Sequence, residues 1–289
     1  MQIGVVFPQT EIGVDPGGLR AYAEAAEQLG YRHLVTYDHV LGADRSVHRD
    51  WSGPYDLHDS FHEPLVLFGW LAGFTGLGLA SGILIGPQRQ TALLAKQAAE
   101  VDLLSGGRLR LGLGIGWNPV EYEALGQDFA SRADRLEEQV GLLRRLWTEE
   151  SVTFDGRFDT VTGAGLAPRP VQRPVPVWLG AMAKPALRRV GRVADGWFPQ
   201  ARPGGGLEEA LEVIAEAATA AGRDPAAIGM EGQVLAATTN PGLLARHAAK
   251  WRGAGASHLS VNTMGSGCTS VDEHIAALAA AAEVLIAGT

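Results

Sequence analysis

Thiols are almost missing from this sequence. Its one cysteine, Cys268, cannot form an internal disulfide or build a zinc site of the Cys-x-x-Cys kind, which fits a reducing cytoplasm. Basic clusters are missing too. With 24 Lys+Arg against 32 Asp+Glu and a net charge of -8, the electrostatic footprint of a nucleic-acid binder is absent, and no such partner is expected. No basic n-region with an apolar h-region opens the chain, and no Ser/Pro-rich tract divides it. A single domain over 1–289 follows, since α/β barrels routinely occupy this length as one unit. Charge also vanishes between Glu63 and Arg89, a span long enough to cross a bilayer. Glycines at 69, 73, 76, 78, 82 and 86 interrupt it, Thr75-Gly76 reads as a turn, and basic flanks are lacking. A buried helix followed by a buried strand is expected there, and no membrane contact.

What is present in abundance is glycine, and its placement is informative. In Leu103 to Trp117, LLSGGRLRLGLGIGW, the paired Gly106-Gly107 supply a left-handed helix end, and an apolar strand begins at once. Along that strand Leu111, Leu113 and Ile115 alternate with Gly112, Gly114 and Gly116. One face is thus bare. Gly114 and Gly116 either receive a flat ring or mark tight packing against a neighbouring strand.

The same strand-then-helix unit recurs. Candidate strands are Ile3–Pro8, His33–Tyr37, Gly78–Ile85, Leu109–Gly114, Pro176–Leu179, Gly196–Pro199, Ile228–Ala236 and His258–Asn262, each followed by apolar residues at helical spacing, as in Leu136, Val140, Leu143 and Trp147. Ser131 with Asp134 and Ser270 with Glu273 read as helix starts. Eight such units predict an α/β fold, a (β/α)8 TIM barrel. A doubly wound sheet would carry its glycine fingerprint in the first strand-to-helix turn, whereas here the glycines lie in the fourth strand and run into Asn118-Pro119. Between strands four and five, Val152 to Phe158 reads as an inserted hairpin with a type I′ turn at Asp155-Gly156, and prolines 168, 170, 174 and 176 force an extended return.

Chemistry in such a barrel sits at the C-terminal strand ends. The second strand ends in Asp38-His39, which point to opposite faces, and a histidine there can accept or return a proton. The loop from Val40 to about Phe61 is long enough for a lid and carries Trp51, Tyr55, His48 and His58. His58 and His62, four apart, could offer two imidazoles on one helical face, but no third ligand is placed by spacing, and no metal is expected. Gly180-Ala181-Met182 precedes a helix starting at Lys184-Pro185, and Gly265-Ser266-Gly267 follows the eighth strand; either could present N–H groups to a phosphate.

Several motifs together identify a family. Tyr37-Asp38-His39-Val40, Gly82-Ile-Leu-Ile-Gly-Pro87-Gln-Arg89, Ala95-Lys96-Gln97 with Asp102-Leu-Leu-Ser-Gly-Gly-Arg108, Leu113-Gly-Ile-Gly-Trp117, Gly156-Arg-Phe158, Val177-Trp-Leu-Gly180 and Ala194-Asp-Gly-Trp-Phe-Pro199 resemble the bacterial luciferase-like monooxygenase superfamily, in its coenzyme F420-dependent branch. The resemblance implies a barrel holding the deazaflavin F420, or alternatively FMN, in its mouth. It implies hydride transfer between F420 and a small organic substrate; the alternatives are a monooxygenase using reduced FMN and oxygen, and a non-catalytic cofactor-binding barrel. Residue by residue, it implies Asp38 against the ring, His39 as the proton-transfer residue, a cis peptide at Gly82-Ile83 behind the ring, and Gly180, Ala181 and Met182 at the cofactor phosphate. Trp117 stands where sugar-phosphate dehydrogenase relatives have an acid, which speaks against a sugar-phosphate substrate. Trp51, Trp117, Asn118 and Trp197 are the substrate-facing candidates, and a homodimer is the assembly allowed for.

Overall fold

Each unit of the chain delivers one parallel strand to a closed ring. The structure, a computed structural model, describes residues 1–236 and 241–287. In chain order the elements are β1 (Gln2–Val6), α1 (Pro16–Gln28), β2 (His33–Thr36), α2 (Pro64–Leu71), β3 (Gly78–Ser81), β4 (Leu84–Ile85), α3 (Thr91–Leu104), β5 (Leu109–Gly114), α4 (Pro119–Ala124) and α5 (Arg132–Thr148). They continue with β6 (Val152–Asp155), β7 (Thr160–Ala164), β8 (Val177–Ala181), α6 (Lys184–Val193), β9 (Gly196–Pro199), α7 (Gly205–Ala220), β10 (Gly229–Leu235), α8 (Pro241–Gly253), β11 (His258–Asn262) and α9 (Val271–Leu285). β3 and β4 are two halves of one strand, broken at the cis peptide Gly82-Ile83. Counting them once, eight parallel strands run β3-β2-β1-β11-β10-β9-β8-β5, and β3 pairing with β5 closes the barrel. The uncharged stretch after Glu63 becomes α2 and the third barrel strand, and among the described residues no helix is long and apolar enough to cross a membrane.

The main apolar core lies outside the ring. Leu34, Leu79, Leu109, Leu111, Leu113, Val177 and Leu179 point from the strands into the helix layer, and each such burial contributes roughly 1.5 to 3 kcal/mol. Alternate residues point inward, where Val35, Ala80, Trp178 and Phe198 form a small separate cluster with Tyr37 and Ile83 against it. The glycine face is resolved by this geometry. A side chain on Gly112 would strike the Ser81 carbonyl, one on Gly114 would strike Ile83, and one on Gly116 would strike Ile85. The bare face of β5 therefore receives the broken third strand, with Ile83 against Gly114 and Ile85 against Gly116.

Two local expectations are corrected. β6 and β7 pair antiparallel outside the barrel, but their connection is Gly156–Asp159, closed by the Gly156 N–H on the Asp159 carbonyl, and neither Asp155 nor Gly156 has the positive φ of a type I′ turn. The turn is set instead by Glu138 of α5, whose carboxylate accepts from the N–H groups of Arg157, Phe158 and Asp159. Ser131 does not cap α5 with its side chain; Asp128 accepts from the Ala130 and Ser131 N–H groups ahead of it.

Candidate active site

The mouth of the barrel is organised by a helix that starts abruptly. Asn118 caps α4: its Oδ1 accepts from Val120 N at 2.9 Å and Glu121 N at 3.4 Å, and Pro119 takes the first helical position. Its Nδ2 donates to the Leu41 carbonyl at 3.2 Å, tying α4 to the chain leaving β2. Asn118 is buried, with its polar atoms engaged in the cap and in the bond to Leu41.

The cap delivers Glu121 to His39. Glu121 Oε1 lies 3.0 Å from His39 Nδ1 and accepts from Val40 N at 3.0 Å and Leu41 N at 3.3 Å, while Oε2 accepts from Gln88 Nε2 at 3.0 Å. Burial works to raise this carboxyl, yet the hydrogen bonds from His39, Gln88 and Leu41 hold it below the usual carboxylate range. An ionised carboxylate only accepts, so Nδ1 carries a proton, and the proton that the ring can exchange is the one at Nε2, at the opposite edge. Nε2 has no protein partner among the described residues. Glu121 was not foreseen from the sequence: it lies 82 positions from its partner, in a short helix without a periodic signature.

Aromatic rings surround this imidazole. Tyr55, Phe61 and Trp117 have centroids 5.2, 4.7 and 5.4 Å from that of His39, and Trp51 lies 5.4 Å from Trp117. The lid, residues 40–63, contains no helix or strand and is held by the Trp51 indole donating to the Tyr55 carbonyl and by Arg45 on Asp56. His58 and His62 therefore share no helical face. His62 Nε2 contacts the Gly13 carbonyl at 3.1 Å, and among the described residues no group of three His, Cys, Asp or Glu could hold a metal ion.

Asp38, which the resemblance sets against a ring, finds its partners within the chain. Its carboxylate is closed off, accepting from Arg89 at 2.9 and 3.1 Å and from Ile85 N at 3.0 Å; Arg89 also bonds Glu63, the cap of α2. Burial pushes the Asp38 carboxyl up, with the Arg89 guanidinium opposing. Asp38 thus fixes the strand just past the break at Gly82-Ile83 and leaves Ile83 half-buried, looking into the mouth. Around Ile83 stand Gly180, whose missing side chain makes room for it, and Tyr37, whose hydroxyl accepts from Gln233 at 2.6 Å. Gln233 points into the barrel yet is exposed, so the upper barrel is an open cup.

The two phosphate candidates separate clearly. At α9, Ser270 caps the helix, Asp272 and Glu273 occupy its first turn, and the Gly265 N–H is taken by Glu11. At α6 no side chain caps the N-terminus, Lys184 begins it, and Met182 before it is exposed. A cation at an open helix start favours an anionic ligand. Ala181 is buried, its carbonyl accepting from the Trp197 indole at 3.0 Å. That bond turns Trp197 outward into the helix layer, so Trp197 is core and Phe198 beside it faces the barrel interior.

Below the cup lies a polar cluster without a sequence signature. Glu231 meets Arg110 at 2.6 Å, His33 Nε2 at 2.7 Å and the Ser260 hydroxyl, and Arg110 stacks 4.4 Å over Trp178. Burial works to raise the Glu231 carboxyl, yet Arg110 and His33 hold it far below the carboxylate range. Burial, then the charges of Arg110 and His33, push the neighbouring His258 down to about 3.

Comparison with known proteins adds the family. A model described as luciferase-like monooxygenase matches residues 1–287. The F420-dependent hydroxymycolic acid dehydrogenase of Mycobacterium tuberculosis (strain ATCC 25618 / H37Rv) is 30% identical over 261 residues, covering 86% of this chain and 66% of that protein. An F420-dependent secondary alcohol dehydrogenase, solved in complex with an F420-acetone adduct, superposes with a TM-score of 0.81 at 18% identity, over 100% of this chain and 99% of that one. The oxygenating constituent of 3,6-diketocamphane monooxygenase from Pseudomonas putida, in complex with FMN, has a TM-score of 0.63 at 17% identity, over 85% and 70%. At these identities the two structures establish a shared fold.

Proposed function

The chain belongs to the luciferase-like monooxygenase family, and within it we propose an oxidoreductase that transfers a hydride between coenzyme F420 and a small organic substrate, with His39 moving the accompanying proton. The observation that carries this reading is the His39–Glu121 pair just past the C-terminal end of β2, with the His39 side chain still 12% exposed and its Nε2 without a protein partner among the described residues. F420 is favoured by its dependence in the hydroxymycolic acid dehydrogenase relative. The residues fit such a group: the open cup above Ile83 and Tyr37 would take a flat ring, and the uncapped start of α6 with Gly180, Ala181 and Met182 would take a phosphate. A setting in the cytoplasm accords with Cys268 as the sole thiol.

When bound, the deazaflavin supplies a two-electron hydride acceptor or donor. The chain manages everything else. His39 Nε2 takes a proton from a substrate hydroxyl, or returns one to a carbonyl oxygen, and Glu121 stabilises the imidazolium while it is charged. Tyr55, Phe61, Trp51 and Trp117 exclude water from that exchange, which strengthens the His39–Glu121 attraction.

FMN carries a phosphate too, and the same cup fits it. Parallel equilibrium titrations with F420 and FMN separate the readings: tighter F420 binding together with substrate-dependent F420 turnover supports ours. Tighter FMN binding with oxygen-dependent turnover overturns it in favour of a monooxygenase, and tight binding without any turnover in a broad substrate screen leaves a carrier.

A further inference from the structure

We infer that the substrate taken at this mouth is an uncharged, apolar alcohol or ketone, held by its hydrocarbon part against a wall formed by Trp117 and Trp51. This rests on the oxidoreductase reading above and names the substrate class of the same site. The wall is built, not incidental. Gly53 of the lid lies directly on the Trp117 ring, where any Cβ would overlap both Trp117 and Trp51, so the lid backbone seats against the indoles. Trp117 nevertheless remains 39% exposed beside His39, and Val40, Leu41 and Leu57 of the lid expose further apolar surface. An exposed indole face beside a proton-exchanging histidine, with further apolar side chains exposed on the same loop, suits an apolar ligand.

Charge points the same way. The cations at the base of the lid are engaged, Arg89 with Asp38 and Glu63, Arg45 with Asp56, and the Nδ1–H of His39 with Glu121, while Lys184 at the start of α6 and Arg202 beyond β9 are exposed, where they suit the cofactor's anionic part. Arg49 stands exposed between His48 and Asp50. The lid itself carries Asp44, Asp50, Asp56, Asp59 and Glu63 against Arg45 and Arg49. A phosphorylated or carboxylated substrate entering past the lid meets net negative charge there, while its anion must give up hydration against an apolar wall. A neutral alcohol loses little and gains burial. Its oxidation breaks the carbinol C–H and O–H bonds: the hydride passes to the cofactor, the proton to His39 Nε2, and carbon and oxygen are left doubly bonded.

The test uses quenching of tryptophan fluorescence, which reads binding without turnover, alongside F420 reduction. A series of straight-chain 2-alkanols should bind about fourfold more tightly for each added methylene while the chain lies on the wall. Glucose 6-phosphate should show no saturable quenching. Trp117→Ala should flatten the chain-length dependence, and Trp117→Phe should retain most of it, which separates loss of the wall from loss of folding. A flat dependence in the native protein, or saturable binding of the sugar phosphate below the alkanol range, overturns the inference. Graded alkanol binding with no F420 reduction would keep the substrate class and refute the hydride-transfer reading; F420 reduction by anionic substrates alone would do the reverse.

Discussion

Two histidines next to two buried glutamates occupy the ends of one strand, and their fates differ. His33 Nε2 meets Glu231 at 2.7 Å at the start of β2; His39 Nδ1 meets Glu121 at 3.0 Å just past its end. Both carboxylates are held below their ordinary range. Around His33, however, Ser260 and the ring of His258 close the space, and its second nitrogen is buried without a partner. The His39 side chain stays 12% exposed, and its second nitrogen is not buried in this way. The chemistry of the pair is the same in both places; access decides which can exchange a proton with a ligand. Parallel barrels offer that access at the C-terminal strand ends, where loops leave space that packed side chains fill below.

The strongest way to break the comparison is to delete each imidazole. His39→Ala should lower single-turnover hydride transfer by about 10²- to 10⁴-fold while cofactor affinity changes little, as expected for a lost general acid or base. His33→Ala should leave the rate of the folded fraction within a few-fold. Stopped-flow transfer and cofactor titration on both variants decide it, and a slowed His33 variant with an unimpaired His39 variant would reverse the roles.

Removing a carboxylate should show the opposite ranking for stability. Glu231→Ala strands Arg110 inside the barrel and should cost about 3 to 5 kcal/mol, read from the urea midpoint. Glu121→Gln keeps the shape of its site but loses one charge-assisted partner of His39. A rate loss of about 10- to 150-fold is expected, with KM nearly unchanged. An equal fall in stability from both variants would mean that the mouth pair is a structural element as well.

A smaller effect sharpens the contrast through pH. His258 titrates near 6.5 when unfolded and near 3 in the fold, so below about pH 6.5 the unfolded chain binds the extra proton. Stability should fall as pH drops through that window, by at most about 1.4 kcal/mol per pH unit before solvent screening reduces it. His258→Gln should flatten this acid limb in thermal melts recorded from pH 7 to 4.

Much of this was legible from spacing alone. Eight strand-and-helix units require a parallel barrel, Gly106-Gly107 ends α3 with positive φ at both glycines, and a histidine just after the second strand marks the mouth. Which of two adjacent aromatics faces the barrel interior was not legible. Trp197 and Phe198 differ only by the pleat of β9, and its register with β8 places Trp197 opposite Leu179 and Phe198 opposite Gly180; a slip of one residue would exchange them. Periodicity reports only that faces alternate, and neighbouring strands choose between them.

The sequence by itself determined the barrel, the long aromatic lid and His39 as a candidate, because those follow from local period, turn chemistry and position along the chain. Only the tertiary structure decided that Glu121 orients His39, that Asp38 bonds Arg89 and Ile85, and that isoleucines pack on Gly114 and Gly116. Each of these depends on a partner far away in sequence. Such a pairing exists only once ring closure has brought the strands into register and the caps have aimed the helices, so no local pattern records it.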